Sequence, residues 1–219
     1  MAKGGDDERT KCREWSLWWS KTSNIDPPRD DIFYRTSGSG ARARARAKLG
    51  KRTHGSYGDM QAVDPIGEPL TRCCTFEFKK GYNRDLRLLL CIDSRGRSPL
   101  FKTFLEQTVS AAKEAGNEPV MIIHRDFMLP CIVFRWSMFV HMESFSGDFG
   151  WGRPRITFHF PEWRDDEFVV LRLKDFFDWM DANYFVARAE NLPRMERRHE
   201  VKGLDRVVAE MPGEWLFDL

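Results

Sequence analysis

Cys73-Cys74-Thr75-Phe76-Glu77-Phe78-Lys79-Lys80-Gly81-Tyr82 reads as the end of a β-strand. Side chains alternate faces along a strand, so Glu77 and Lys79 point the same way. Upstream, Gly55-Ser56-Tyr57-Gly58-Asp59-Met60 supplies a second carboxylate, Asp59. Two carboxylates and a lysine on one side of a sheet can hold a hard cation and position a water.

Working outward, Asp59 to Val63 and Leu70 to Lys79 are predicted as two strands joined by the turn Asp64-Pro65-Ile66-Gly67-Glu68-Pro69. Ahead of them, Asp6 to Trp19 reads as a first helix with Asp6 or Asp7 at its start. Asp31 to Arg35 reads as a short strand. Beyond Gly81, the register of the apolar run Leu86 to Ile92 is open. Pro99 to Ala115 is a helix, with Phe101, Phe104, Leu105, Val109 and Ala112 at helical spacing and Gly116-Asn117 as its stop. Pro119 to His124 is a buried strand, and its order after the helix implies a right-handed crossover onto the sheet. Cys131 to Val140 is read as a further strand. Trp151 to Phe160 is read as a strand or hairpin arm, Phe168 to Leu173 as a strand and Leu173 to Tyr184 as a helix. Arg188 to Lys202 is read as a charged surface segment.

Charged residues make up 31% of the chain, yet the net charge is only +2. Placement matters more than the sum. From Arg35 to His54 stand Arg35, Arg42, Arg44, Arg46, Lys48, Lys51 and Arg52 with no acid among them, whereas Glu162 to Asp181 is acid-rich. The Ala-Arg alternation over Ala41 to Lys48 would spread arginines around a helix and leave no apolar face to anchor it. An arm that orders on a polyanion is the expectation. No apolar run approaches the length of about 18 residues that crosses a bilayer. The N-terminus lacks the apolar segment of a secretory signal. Cys12, Cys73, Cys74, Cys91 and Cys131 form an odd set without CxxC spacing, which favours reduced thiols in a cytoplasmic protein over a zinc site.

Hydrolysis of a phosphodiester needs a nucleophilic water and stabilisation of charge on the phosphate and the leaving oxygen; a Mg²⁺ or Mn²⁺ ion with oxygen ligands serves both. Asp59 and Glu77 are the candidate metal ligands, with a main-chain carbonyl near Phe78 as a third. Lys79 would orient or deprotonate the water. Alone, the D-x(17)-E-x-K spacing also fits a solvated strand edge with a salt bridge.

Further features stand in order along the chain: Glu8-Arg9 on the first helix, Arg35-Thr36-Ser37-Gly38-Ser39-Gly40, Gly58-Asp59, Glu77-Phe78-Lys79, then a helix with Gln107 and an apolar strand ending at His124. Over roughly Asp6 to Arg125 this series resembles the PD-(D/E)xK nuclease superfamily. Within it, the likeness is to Holliday-junction-resolvase-like enzymes of archaeal and bacteriophage type. The resemblance implies an α/β fold, a restriction-endonuclease-like mixed central sheet flanked by helices. It implies Asp59 and Glu77 as magnesium ligands, Lys79 and Glu8 as catalytic, and Arg35, Ser37 and Ser39 as DNA contacts. The basic residues Arg42, Arg44, Arg46, Lys48, Lys51 and Arg52 would join them on phosphates, and Gln107 is a further candidate.

The expectation is therefore a Mg²⁺-dependent DNA endonuclease, and more narrowly a phage-encoded resolvase of branched DNA acting as a homodimer and not at a membrane. The nuclease core would span 1–135, with the basic loop at 35–54, and 136–219 would form an extension packed on it. The alternatives are a superfamily nuclease for linear or single-stranded DNA, and a non-catalytic DNA-binding or packaging protein on the same fold.

Overall fold

The structure, a computed structural model, describes residues 4–36, 57–82, 85–88, 90–93, 99–150, 152–160 and 167–192. The chain is a mixed α/β protein. Helix α1 (Gly4–Thr22) leads into β1 (Phe33–Arg35), which pairs antiparallel with β2 (Met60–Ala62). A short 3₁₀ turn, Pro65–Gly67, and helix α2 (Glu68–Cys73) deliver the chain to β3 (Cys74–Lys80). The helices α3 (Leu90–Asp93) and α4 (Leu100–Ala115) lead to β4 (Glu118–His124). Then come β5 (Cys131–Arg135), α5 (Trp136–Ser146), β6 (Arg155–His159), β7 (Glu167–Arg172), α6 (Leu173–Trp179) and α7 (Ala182–Asn191).

Five strands form one sheet in the order β3-β4-β5-β7-β6. The β3–β4 pair is parallel, bridged by α4, and the other pairs are antiparallel. Strand β3 thus lies at one margin, with β2 leaning on it through the Asp59 N–H, which donates to the Phe76 carbonyl at 2.6 Å.

Alternation along the strands divides the core between the sheet's two faces. Phe76, Phe78, Val120, Ile122, Ile132, Phe134, Val169 and Leu171 pack with α1, α5, α6 and α7. Met121, Ile123, Val133, Phe168 and Val170 pack with Phe101, Phe104 and Leu105 of α4. The first face is built on rings: Trp15 meets Phe76 and Phe177 edge-on at 4.9 Å, and the Trp18 indole N–H donates to the carbonyls of Phe177 and Met180. Such pairs contribute about 0.5–1.5 kcal/mol each beyond area burial. The segment after Arg135 therefore supplies two strands to the same sheet and three helices to the same core as α1.

Several elements differ from expectation. Leu70 to Cys73 is helical, not strand: Pro69 stands in the first turn of α2, where its missing N–H costs nothing. The strand from Cys131 stops at Arg135, and Trp136 to Val140 begins a helix that buries Met138, Phe139 and Met142, spaced at i, i+1 and i+4. The helix from Leu173 ends at Trp179, and Asp181 caps a second one by accepting from the Asn183 N–H at 2.7 Å. Arg188 is not a surface residue: it is half-buried in α7, donating to Glu118 at 3.0 Å and to the Tyr184 hydroxyl at 3.3 Å. The remainder of that charged segment, from 193 on, lies outside the described residues. Helix α4 is as read, ended by Gly116 at φ 75°. All five cysteines are free thiols, three of them buried.

Candidate functional site

A cleft of about 920 Å³ opens at the β3 margin between α1, the start of β2 and α4. Its wall carries Glu8 from α1, Asp59 from the entry to β2, and Glu77 and Lys79 from β3; Phe104 and Gln107 face it from α4. Because Phe76 and Phe78 fill the core on the other face, pleating leaves Glu77 and Lys79 on the cleft side.

Asp59 is held on three sides. Its N–H donates to the Phe76 carbonyl and its carbonyl accepts from the Thr36 N–H at 3.0 Å. Its Oδ2 accepts from the Phe78 N–H at 2.8 Å. Gly58 makes this approach possible. It sits at φ 77°, and a Cβ there would lie 2.3 Å from the Phe76 carbonyl oxygen.

Asp59 is only 6% exposed. Burial, and then the Glu77 carboxylate, push its carboxyl up to about 7 from an ordinary 3.8; the Phe78 N–H and Lys79 act in the opposite direction. Glu8 is raised as well, first by burial, with Arg35 opposing at 3.7 Å. Lys79 Nζ donates to Glu77 Oε2 at 2.9 Å and lies 5.1 Å from the centre of the Phe104 ring. The ring offers its negative face to the ammonium and fixes the lysine from the α4 side.

The expected residues Glu8, Arg35, Asp59, Glu77, Lys79 and Gln107 thus surround one cleft or adjoin it. Ser37, Ser39, Arg42, Arg44, Arg46, Lys48, Lys51 and Arg52 lie outside the described residues. Asp64 plays a turn role: it accepts from the Ile66 N–H at 3.0 Å and pairs with Arg29, and both interactions hold its carboxyl below the usual range.

Sequence reasoning missed a second acidic contact. Asp7, buried beside Glu8, meets Lys80 Nζ at 2.9 Å and His124 Nδ1 at 3.3 Å. It ties the start of α1 to the ends of β3 and β4. Only the adjacency of Asp7 to Glu8, and a polar residue closing an apolar strand, hinted at it.

Chemically, the cleft can bind a cation and orient a water beside an ammonium. Two carboxylates on one wall, one of them disfavoured as an anion by burial and then by the other, form a donor set that a hard cation would relieve. Among the described residues no group of three or more His, Cys, Asp or Glu side chains converges as a metal cage. No described helix is long and apolar enough to cross a membrane.

A scan against protein-family models, a search of curated proteins and a search of solved structures find nothing that matches this chain.

Proposed function

We propose that this chain is a metal-dependent DNA endonuclease of the PD-(D/E)xK type, acting on branched DNA. One observation carries the reading. Asp59, Glu77 and Lys79, spaced D-x(17)-E-x-K, share a cleft wall with Glu8, and burial with the Glu77 charge raises the Asp59 carboxyl to about 7. A solvated strand edge gives no such shift, because water screens exposed carboxylates from one another.

In this proposal Asp59 and Glu77 hold Mg²⁺ or Mn²⁺, with a main-chain carbonyl beside Phe78 as a further ligand. The bound ion would lower the pKa of a coordinated water and offset charge on the phosphate. Lys79, steered by Glu77 and Phe104, orients the attacking water or takes its proton. Glu8 adds an outer carboxylate, set by Arg35. The arginines of 35–54 contact phosphates and position the duplex without reading its sequence. A pair of such sites in a homodimer would make the two symmetric cuts that resolve a four-way junction.

The test is incubation with a labelled four-way junction and a matched linear duplex, in Mg²⁺ and in EDTA, beside Glu77→Ala. Junction-selective cutting that needs both Mg²⁺ and Glu77 is expected. Equal cutting of both substrates would keep the nuclease and remove the junction preference. Tight binding without cutting would point to a DNA-binding or packaging role on this fold.

A further inference from the structure

Among the described residues, three that are not glycine adopt a left-handed backbone: Asn24 at φ 54°, Tyr82 at φ 55° and Phe127 at φ 63°. Asparagine tolerates this region; bulky aromatic residues are strained there, because Cβ crowds the following carbonyl oxygen. Both aromatics are also exposed, Tyr82 by half and Phe127 fully. They occupy neighbouring loops. Tyr82 follows Gly81, whose N–H donates to the His124 carbonyl at 2.9 Å, and Phe127 stands three residues beyond His124.

The turn from β4 to β5 closes by the Met128 N–H donating to the Arg125 carbonyl at 3.1 Å. With φ positive at its third residue, this turn takes glycine by preference, yet Phe127 stands there. Met128 and Leu129 beside it are exposed too. None of these four side chains belongs to the buried core. The fold accepts strain at two positions in order to present large apolar groups to solvent.

Their place indicates what they meet. Tyr82 lines the candidate cleft, held edge-on against Phe104 at 5.0 Å, and Asp126, next to Phe127, lines it as well. Lys80 stands on the same rim. A polyanion whose phosphate reaches Glu77 and Lys79 would therefore bring its neighbouring bases over Tyr82 and Phe127. In a paired duplex those bases are stacked on one another and offer no ring face. At a fork with unpaired arms they are free.

We infer that Tyr82 and Phe127 form a stacking rim that takes unpaired nucleobases next to the scissile phosphate, with Met128 and Leu129 as apolar shoulders that keep the strands apart. The rim makes splayed DNA, not continuous duplex, the preferred ligand. This rests on the reading of the cleft as a DNA-hydrolysing site. Aromatic side chains stack on any base, so the rim selects DNA structure and ignores sequence.

The test uses the whole chain with Ca²⁺ in place of Mg²⁺, a labelled fork with unpaired arms, and a fully paired duplex of equal length. Tyr82→Gly and Phe127→Gly are each expected to lower the fork-to-duplex affinity ratio about tenfold, within the range measured for removing one stacking ring. Glycine suits both backbones, so the melting temperature should hold or rise, which separates the removal of a stacking ring from damage to the fold. An unchanged ratio, or equal loss on both ligands, overturns the inference while the cleavage assay with Glu77→Ala still judges the nuclease reading. A shift from dimer to monomer on gel filtration, with the ratio intact, makes the rim a contact between copies of this chain and also overturns it. Wild-type protein that binds neither DNA overturns both.

Discussion

The Asp59 carboxylate accepts the Phe78 main-chain N–H at 2.8 Å, so the acid at the entry to β2 is fastened to β3 between the positions of Glu77 and Lys79. One oxygen is thereby committed to the scaffold, yet that single hydrogen bond does not offset burial beside Glu77. Near neutral pH the Asp59 carboxyl is therefore still partly protonated.

The first prediction is a pH dependence. The folded carboxyl titrates near 7 and the unfolded one near 3.8, so between these values the folded state binds more protons. Stability contributed by protonated Asp59 is therefore full below about pH 4, declines as pH rises, and is gone above about 7. Asp59→Asn keeps an acceptor for Phe78 and removes the charge. In EDTA its stability relative to wild type should grow across that window by about 1–4 kcal/mol and then level off. Urea titrations at pH 4, 5.5, 7 and 8 check this; a flat difference would mean that Asp59 is well solvated.

Two glycine substitutions separate backbone strain from steric conflict. Gly58 and Gly147 have φ of 77° and 82°, but a Cβ at Gly147 meets nothing within 4 Å. Gly147→Ala should cost about 1–3 kcal/mol, the backbone penalty alone, because φ 82° with ψ 177° is a conformation nearly confined to glycine. Gly58→Ala should cost about 2–4 kcal/mol and displace Asp59 from Phe78, because the methyl group strikes the Phe76 carbonyl. Equal losses in denaturant unfolding would show that β2 can move away from β3.

Glu118 receives Arg135 at 3.2 Å and Arg188 at 3.0 Å, one guanidinium on each oxygen. Glu118→Ala leaves two half-buried cations facing each other. A loss of about 2–3 kcal/mol is expected, with α7 opening first in hydrogen exchange. Unchanged protection of α7 would mean that the helix is held by its rings alone.

Glu8→Gln removes the outer carboxylate while keeping its shape. Cleavage in Mg²⁺ should fall by about 10- to 100-fold, as for groups that support a metal's direct ligands. The stabilisation of the wild-type fold by added Mg²⁺ should persist in this variant and vanish in Glu77→Ala. Undiminished cleavage would reduce Glu8 to a partner of Arg35.

Replacing Arg42, Arg44 and Arg46 with Ala should weaken binding to all DNA sequences alike. The slope of log affinity against log salt should fall by about 0.9 for each phosphate left without its arginine. Weakening confined to one sequence would contradict a backbone-contacting role.

The motif residues were legible because they are local. Glu77 and Lys79 needed only the pleat, and α4 needed only its 3.6-residue period and Gly116. Two apolar segments were misread for want of long-range information. Leu70 to Cys73 has the composition of a strand; Pro69 marks a helix start that only outweighs it once α2 packs beside α7. Trp136 to Val140 follows a genuine strand without a breaker, and the turn to helix is set by where Met138, Phe139 and Met142 find the core. The Asp7 contact with His124 left only faint local hints, since no local pattern ties a helix start to a strand end.

That contact joins residues 117 positions apart. A ribosome adding about 5–20 residues per second needs several seconds to travel from Asp7 to His124. Until β4 has emerged and docked, Asp7 lacks its His124 contact and β3, which carries Glu77 and Lys79, has no neighbour in its sheet. The centre is therefore incomplete throughout the first half of synthesis, and an N-terminal fragment released early would carry Asp59, Glu77 and Lys79 without the scaffold that aligns them.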